Sequence, residues 1–140
     1  MILERIEQKM GRIREYVHLL RSIQDDCLER FDADPIYRGA MLHYLYLMAD
    51  FCIALAELVI KHRSLRSPQT YSEAFDILGN NRILDPEFAY SFARVAGFRN
   101  LLAHDYEMID GPKICKTLLS GLDDVEQYLN QMEQAIQGSK

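Results

Sequence analysis

Apolar residues recur along this chain at alternating intervals of three and four, and this period most limits the folds open to it. The first segment shows it best, from about Ile2 to Phe31, with apolar positions at Leu3, Ile6, Met10, Ile13, Val17, Leu20, Ile23, Cys27 and Phe31. An α-helix places such positions on one face, because it has about 3.6 residues per turn. The segment therefore predicts one long amphipathic helix.

Residues that commonly begin helices mark the second segment. Asp34 can accept backbone N–H groups at a helix start and Pro35 fits the first turn, so we expect a second helix from Ile36 to about His62. Its apolar face is wide, which is typical of a helix that contacts neighbours on more than one side. Its aromatic residues suit a bundle core or a dimer interface.

Shorter patterns complete the helical prediction. Residues 70–73, Thr-Tyr-Ser-Glu, have the form of a capping box, which opens a short helix. Asp85 and Pro86 open the next helix, which runs on through Gly97, where it could kink. Apolar residues repeat at the helical period once more over residues 114–136 and predict a final amphipathic helix.

No segment shows strand alternation, an internal repeat or low complexity. A chain of 140 residues suits one domain with a single sizeable core. We therefore predict an all-α fold over a single domain, residues 1–140. Its architecture is expected to be an antiparallel up-and-down bundle of four main helices plus one short helix.

Four chemically capable side chains stand close together near the end of the penultimate helix. The stretch reads Arg99-Asn100-Leu101-Leu102-Ala103-His104-Asp105-Tyr106. Asn100 and His104 are four residues apart and share a helix face. A guanidinium, an amide, an imidazole and a phenol along one element can hold a phosphate and move a proton beside it.

The bare spacing of Arg, four residues and His is a weak signal. It recurs at Arg38 and His43, and Arg12 with His18 satisfies a looser spacing. Neither repeat has Asn after the Arg or Tyr two places after the His, so only residues 99–106 are informative. The alternative interpretation is that the basic side chains of this stretch merely compensate the exposed carbonyls of a helix end.

The longer motif resembles the signature of the HEPN superfamily, and specifically of the HepT-like toxins paired with minimal nucleotidyltransferase antitoxins. Metal-independent RNA cleavage is the matching chemistry: His104 acts as general base or acid for attack by the ribose 2′-hydroxyl, and Arg99 neutralises charge on the phosphate oxygens. Asn100 orients His104 or contacts the phosphate. The expected products carry a 2′,3′-cyclic phosphate and a 5′-hydroxyl.

The resemblance also implies partners. It implies a toxin of a type VII-like toxin–antitoxin module that cuts RNA, with tRNA and mRNA as the candidate substrates, and a cognate minimal nucleotidyltransferase antitoxin that attaches AMP to Tyr106. It implies a homodimer or higher oligomer with the motif at a shared cleft. A second copy would supply the second imidazole, because one imidazole is poorly suited to be base and acid together.

The distribution of charge along the chain limits the kind of nucleic-acid partner it can have. The net charge of −5 argues against a protein that coats nucleic acid, and DNA is not expected as a partner. Residues 61–104 carry 6 Lys and Arg against 4 Asp and Glu, a net +2 that ends at the motif, which fits a grip on a phosphodiester at one place. The cations of that segment are Lys61, Arg63, Arg66, Arg82, Arg94 and Arg99.

The remaining expectations concern compartment and cofactors. Residues 1–5 lack the features of a signal peptide and no apolar run approaches the roughly 20 residues that cross a bilayer, so we expect a cytoplasmic protein without a membrane partner. Cys27, Cys52 and Cys115 are expected to be reduced core residues. Glu15 and His18 have the Glu-x-x-His spacing of a di-iron bundle but lack a second copy, and neither a metal nor a cofactor is expected.

Two alternatives from other functional classes stay open. In the first, the bundle is a non-catalytic nucleotide- or substrate-binding partner of a minimal nucleotidyltransferase. In the second, it is a plain helical interaction module and the motif is a coincidence. An RNase assay separates the first alternative from the toxin, and a nucleotide titration separates the two alternatives from each other.

Overall fold

The computed structural model describes residues 1–138, apart from the side chain of Leu119. Regular structure in this part of the chain is helical throughout, which confirms the predicted all-α fold. The α-helices in chain order are α1 (Ile2–Ile23), α2 (Cys27–Arg30), α3 (Pro35–His62), α4 (Tyr71–Asn80), α5 (Pro86–Phe92), α6 (Arg94–His104) and α7 (Gly111–Gly138). Short 3-10 turns occupy Gln24–Asp26 and Tyr106–Met108.

The long helices run up and down beside one another. Arg14 and Arg21 on α1 donate to Glu133 and Glu126 on α7 at 2.9 and 3.0 Å, so these two helices run in opposite directions. The central helix α3 packs against α1, α4 and α6. The hydroxyl of Tyr37, near the start of α3, donates to a backbone carbonyl at the end of α1, so this pair is antiparallel as well.

An aromatic side chain ties the middle of the core together. Tyr128 on α7 is fully buried, and its hydroxyl donates to the backbone carbonyl of Cys52 on α3 at 2.8 Å. Its ring stacks on that of Phe92 from α5, with 4.5 Å between the centroids. A buried phenol needs such a partner, because its hydroxyl otherwise loses its hydrogen bonds to water. The contact therefore fixes α3, α5 and α7 against one another.

The helix starts read from the sequence are confirmed. The side chain of Asp34 accepts two backbone N–H groups of the first turn of α3 at 3.0 and 3.2 Å, with Pro35 as the first helical residue. Thr70 accepts the backbone N–H of Glu73 at 3.0 Å, and Asp85 accepts that of Phe88 at 3.1 Å. Such caps satisfy N–H groups that have no partner within the helix.

Two helices are shorter than expected. The first was predicted to reach Phe31, but α1 ends at Ile23, where a 3-10 turn redirects the chain into the short α2. The hydroxyl of Ser22 donates to the carbonyl of Leu19 at 2.6 Å and so competes for the last turn of α1. The helix predicted to begin at Asp85 and Pro86 and to run on through Gly97 is also interrupted. It breaks at Ala93, between α5 and α6, and Gly97 lies inside α6.

The expectation for the cysteines is wrong for two of the three. Cys27 on α2 and Cys115 on α7 form a disulfide, with their Cα atoms 5.5 Å apart and a sequence separation of 88. The turn after α1 brings Cys27 against α7, which no spacing in the sequence reveals. Cys52 is a free, buried thiol as expected, and burial raises its pKa far above the ordinary value.

The start of α7 lies directly against the connection between α2 and α3. A Cβ atom at Gly111 would lie 2.9 Å from the Cε1 atom of Phe31 and 3.0 Å from a carboxylate oxygen of Asp32. Only a residue without a side chain allows the two segments to approach this closely. Together with the disulfide, this contact holds the chain just after the motif against the segment that follows the C-terminal end of α1.

Helix α3 is also the one helix of the described residues that is long and apolar enough to cross a bilayer, with a mean hydropathy of 1.6 over its most apolar window. This differs from the expectation that no apolar run approaches that length. Of that window, 56% is buried inside the fold. Core helices pass the same test, and contacts with α1, α4 and α6 account for the composition of α3.

Candidate functional site

The motif occupies the last two turns of α6 and the 3-10 turn that follows. Arg99 and Asn100 lie one turn before His104, which is the last residue of α6. The backbone N–H of Asp105 bonds to the carbonyl of Leu101 at 2.9 Å and ends the helix. Tyr106 begins the 3-10 turn, so all four candidate side chains lie at one end of α6.

The side chain of Arg99 is held by three hydrogen bonds. Its Nε–H donates to Asp50 Oδ1 at 3.0 Å, its Nη2 to the Tyr46 hydroxyl at 3.3 Å, and its Nη1 to Asn100 Oδ1 at 3.3 Å. Asp50 and Tyr46 come from α3, one turn apart. The guanidinium on α6 is therefore positioned by the neighbouring helix, and α6 runs antiparallel to α3 at this contact.

Aromatic rings also border the guanidinium. Its central carbon lies 5.4 Å from the ring centroid of Tyr46 and 5.3 Å from that of Tyr71, which is the first residue of α4. Both distances fall within the range of cation–π attraction. Helices α3, α4 and α6 thus converge on Arg99, whose side chain is 16% exposed.

The partners leave Arg99 both charged and able to bind. The hydrogen bond to Asp50 raises the pKa of Arg99 above its ordinary value, so the group stays cationic. Among the residues that the structure describes, three of the five guanidinium N–H groups are engaged, which leaves one on Nη1 and one on Nη2. Two parallel N–H groups suit two oxygens of one phosphate.

The other candidate residues are more open. Asn100 and His104 are exposed, and Asn100 is connected to Arg99 rather than to His104. Within the described part of the chain, the exposed imidazole of His104 makes no hydrogen bond or ion pair. Tyr106 is 46% exposed. The structure thus brings a fixed cation, a free imidazole and an accessible phenol to the same end of α6.

A cleft of about 380 Å³ opens between α3 and α6 beside this group. Its walls include Tyr46 and Tyr106, which also flank the motif, together with His43 from α3. The sequence analysis set His43 aside as part of the uninformative Arg38 and His43 pair. The structure places its imidazole beside the motif, whereas Arg38 donates to the backbone carbonyls of residues 31 and 32.

The cations of segment 61–104 serve different purposes. Arg63 donates to the carbonyl of Ala135 on α7 at 2.8 Å, and Arg66 contacts Glu73 at the start of α4 at 2.8 Å. Arg63 joins the end of α3 to α7, and Arg66 joins the loop before α4 to that helix. The expected basic lining thus has two of its six members committed to other contacts.

Sequence reasoning did not identify Asp50, Tyr46 or Tyr71. One signal was present, since Asp50 is an acidic residue in the middle of an otherwise strongly apolar stretch of α3. Such an acid usually has a cationic partner, because an unpaired charge among apolar neighbours is costly. The two tyrosines carried no comparable signal. No group of three or more His, Cys, Asp and Glu side chains able to hold a metal ion occurs among the described residues.

Known proteins resemble this chain over most of its length. A family model described as Ribonuclease HepT-like matches residues 6–132. The mRNA nuclease HepT of Shewanella oneidensis is 21% identical over 125 residues, which cover 89% of this chain and 93% of that protein. The tRNA nuclease HepT of Aphanizomenon flos-aquae is 29% identical over 133 residues, covering 91% and 86% of the two chains.

Solved structures show the same fold. A tri-AMPylated HEPN toxin of Shewanella oneidensis in complex with MNT antitoxin superposes with a TM-score of 0.83 at 20% identity, covering 92% of this chain and 96% of that one. YutE of Bacillus subtilis, a cytosolic protein of unknown function, also gives a TM-score of 0.83, at 14% identity and over 97% and 91% of the two chains. At these identities the likeness concerns the fold alone.

Proposed function

The chain belongs to the HepT-like ribonuclease family, and from this premise we propose that it is an endoribonuclease and the toxin of a toxin–antitoxin pair. In this proposal residues 1–140 form a single HEPN-like domain that acts in the cytoplasm. The observation that carries it is the fixed guanidinium of Arg99, with two unengaged N–H groups, one helical turn from the exposed imidazole of His104. RNA is the substrate.

Arg99 binds the scissile phosphate in this mechanism. Its remaining N–H groups contact two phosphate oxygens, and its charge stabilises the extra negative charge that develops as the ribose attacks. Asp50 keeps the guanidinium from following the phosphate and so preserves its direction. The side-chain oxygen of Asn100 accepts from Arg99, which leaves its amide N–H groups for the same phosphate.

His104 moves the proton. As general base it takes the proton of the ribose 2′-hydroxyl, whose oxygen bonds to phosphorus while the bond from phosphorus to the 5′-oxygen breaks. The departing 5′-oxygen accepts a proton from a second imidazole, which His104 of another copy supplies in a homodimer. The products are a 2′,3′-cyclic phosphate and a 5′-hydroxyl, and the route requires no metal ion.

Exposed apolar side chains support self-association. Ile36 and Met108 are 85% and 79% exposed, and Leu28 is 65% exposed. Exposed apolar side chains mark an interface where they form one contiguous patch. We assign it to a second copy of this chain, with the two motifs facing a shared cleft.

Neutralisation follows from the accessibility of Tyr106. A minimal nucleotidyltransferase antitoxin transfers AMP from ATP: the phenol oxygen bonds to the α-phosphorus, the bond to the β-phosphate breaks and pyrophosphate leaves. The new phosphodiester carries a negative charge two residues from His104 and can pair with Arg99. Charge and bulk at this place exclude an RNA phosphate. The fold shared with an AMPylated HEPN toxin supports this assignment.

Purified protein incubated with tRNA and with mRNA tests the central proposal. We expect cleavage that persists in EDTA and leaves fragments with 2′,3′-cyclic phosphate and 5′-hydroxyl ends. Fragments with 3′-hydroxyl and 5′-phosphate ends, or activity that requires added Mg²⁺, would contradict the mechanism.

A second candidate function has one observation in its favour. Three hydrogen bonds already hold the guanidinium of Arg99 in place, as suits a group that binds a nucleotide phosphate whether or not the phosphate is cleaved. In this case the chain is a non-catalytic, nucleotide- or substrate-binding partner of a minimal nucleotidyltransferase. Nucleotide binding by a protein that leaves every tested RNA intact would favour this candidate.

A further inference from the structure

The cleft between α3 and α6 has the shape and lining of a site for a flat ring. Its floor is apolar, formed by Leu42 and Leu102, which are 2% and 4% exposed. Three side chains with an aromatic ring and a polar end border it, namely His43, Tyr46 and Tyr106. The lining therefore offers a flat ring both apolar atoms and aromatic side chains that carry hydrogen-bonding groups.

The cleft is connected directly to the phosphate-binding group. The hydroxyl of Tyr46 accepts from Arg99 Nη2 at 3.3 Å, and the ring of the same tyrosine lines the cleft. A phosphate bound at Arg99 therefore has its attached sugar and base at the mouth of the cleft. At about 380 Å³ the cleft lies at the small end of ligand-binding cavities, which suits one base and no longer segment.

We propose that this cleft binds the nucleobase attached to the nucleotide whose phosphate contacts Arg99. The inference rests on the proposed function and adds to it a site for the base. Stacking on aromatic rings tolerates any base, since every base has a flat face. The exposed imidazole of His43 can both donate to and accept from a base edge, so this residue is the one placed to distinguish bases.

The base can come from two sources. One is the RNA substrate, whose nucleotide next to the cut would be held in the cleft during cleavage. The other is the AMP group on Tyr106, whose adenine would fill the same cleft in the neutralised protein. The chemistry of recognition is the same in both cases.

A glycine in the cleft wall allows the cleft to be filled without touching the motif. Gly39 lies in α3, and a Cβ atom added there would have no neighbour within 4 Å. Leu at this position projects into the cleft while the helix is preserved. Gly11 in α1 is a matched control, because it is also helical, has the same free space around an added Cβ and lies outside the cleft.

The test compares 5′-AMP with ribose 5-phosphate, which has the phosphate and sugar but lacks the base. Dissociation constants from NMR titrations should favour AMP by about tenfold in the unmodified protein and in Gly11→Leu, as expected from the stacking of one base. Gly39→Leu should bind both ligands equally and ribose 5-phosphate as before. Equal binding by the unmodified protein, or a preference that persists in folded Gly39→Leu, overturns the proposal.

Two further arms identify the source of the base. If the cleft holds a substrate base, an abasic residue beside the cut slows cleavage about tenfold in the unmodified protein. The same abasic residue changes the cleavage rate of Gly39→Leu little. If it holds the adenine on Tyr106, protein carrying AMP there loses its preference for free AMP. A protein that prefers AMP but cleaves no RNA would refute the proposed ribonuclease function and support the base-binding cleft. A protein that cleaves RNA but shows no preference for AMP would support the ribonuclease function and refute the base-binding cleft.

Discussion

The Nε–H group of Arg99 donates to Asp50 Oδ1 at 3.0 Å, across 49 residues of sequence. An acid in the middle of the central helix α3 thereby sets the direction of a guanidinium on α6. With the bonds to Tyr46 and Asn100, this bond leaves two N–H groups of the guanidinium for a ligand. Substitutions of Asp50 can therefore test the positioning of Arg99 without removing a group that is proposed to touch the RNA.

Asp50→Ala should therefore lower RNA cleavage by at least about tenfold, a cost of one well-placed hydrogen bond to a charged group. Asp50→Asn should retain most of the activity, because its amide oxygen can still accept from Nε–H. Cleavage rates and thermal melting of each variant are the measurements. Glu57→Ala, which removes an exposed acid of the same helix, is the control and should be unchanged. Equal losses in Asp50→Asn and Asp50→Ala would show that charge, rather than direction, matters.

Arg99→Ala and His104→Ala should each reduce cleavage by about a hundredfold or more, as loss of a charge-stabilising group or of a general acid or base does. His104 is exposed, so its removal should leave the melting temperature nearly unchanged. His18→Ala is a suitable control, because His18 is an exposed histidine of α1. Arg38→Ala is less suitable, since the guanidinium bonds to carbonyls before α3. Activity that survives in His104→Ala would remove the proton-transfer role.

Tyr106→Phe should accept no AMP from the cognate nucleotidyltransferase in the presence of ATP and Mg²⁺, and it should stay active when the unmodified protein is silenced. Mass spectrometry of the intact chain and of its peptides reports the modification. Tyr90→Phe is the matched control, because Tyr90 is a tyrosine that is 81% exposed on α5. Normal silencing of Tyr106→Phe by AMP on another residue would reassign the switch.

Sedimentation should show a homodimer or a larger assembly at micromolar concentration. Covering the exposed apolar side chains described above provides the driving force. Mixed chains of Arg99→Ala and His104→Ala give a sharper test, because a shared cleft can then contain one intact copy of each group and regain part of the activity. A purely monomeric protein with full activity would rule out a second imidazole from another copy.

Reduction of the disulfide between Cys27 and Cys115 should lower the free energy of unfolding by about 4.6 kcal/mol, the chain-entropy contribution of a loop this long. Denaturant unfolding with and without dithiothreitol measures it. Cys115→Ser should unfold like the reduced protein and should no longer respond to the reductant. Two thiols that react with a thiol reagent in native, non-reduced protein would contradict the pairing, since Cys52 is buried.

Features that depend on neighbouring residues in sequence could be predicted. The capping side chains of Asp34, Thr70 and Asp85 act within three residues, so their spacing fixes the helix starts. The end of α1 and the break at Ala93 arise from small competing preferences that a period of apolar residues does not resolve.

Contacts between helices could not be predicted in the same way. Asp50 and Tyr46 belong to the site only because α6 packs on that face of α3, and Cys27 meets Cys115 only after the turn at the end of α1. His43 is the clearest case. Its local spacing with Arg38 is uninformative, whereas its position in space is beside the motif.

The turn after α6 is held at both ends, by α6 and by the close contact at Gly111, and this limits how far Tyr106 can move. The residue lies two positions beyond the end of α6, and the chain is fixed again at Gly111, so its Cα can move about 7 Å from the helix end at most. An enzyme that modifies this phenol must bring its own active centre to the cleft, over Arg99 and His104. Such an enzyme and an RNA molecule then compete for one surface, and blockage begins when the partner docks, before any covalent bond is made.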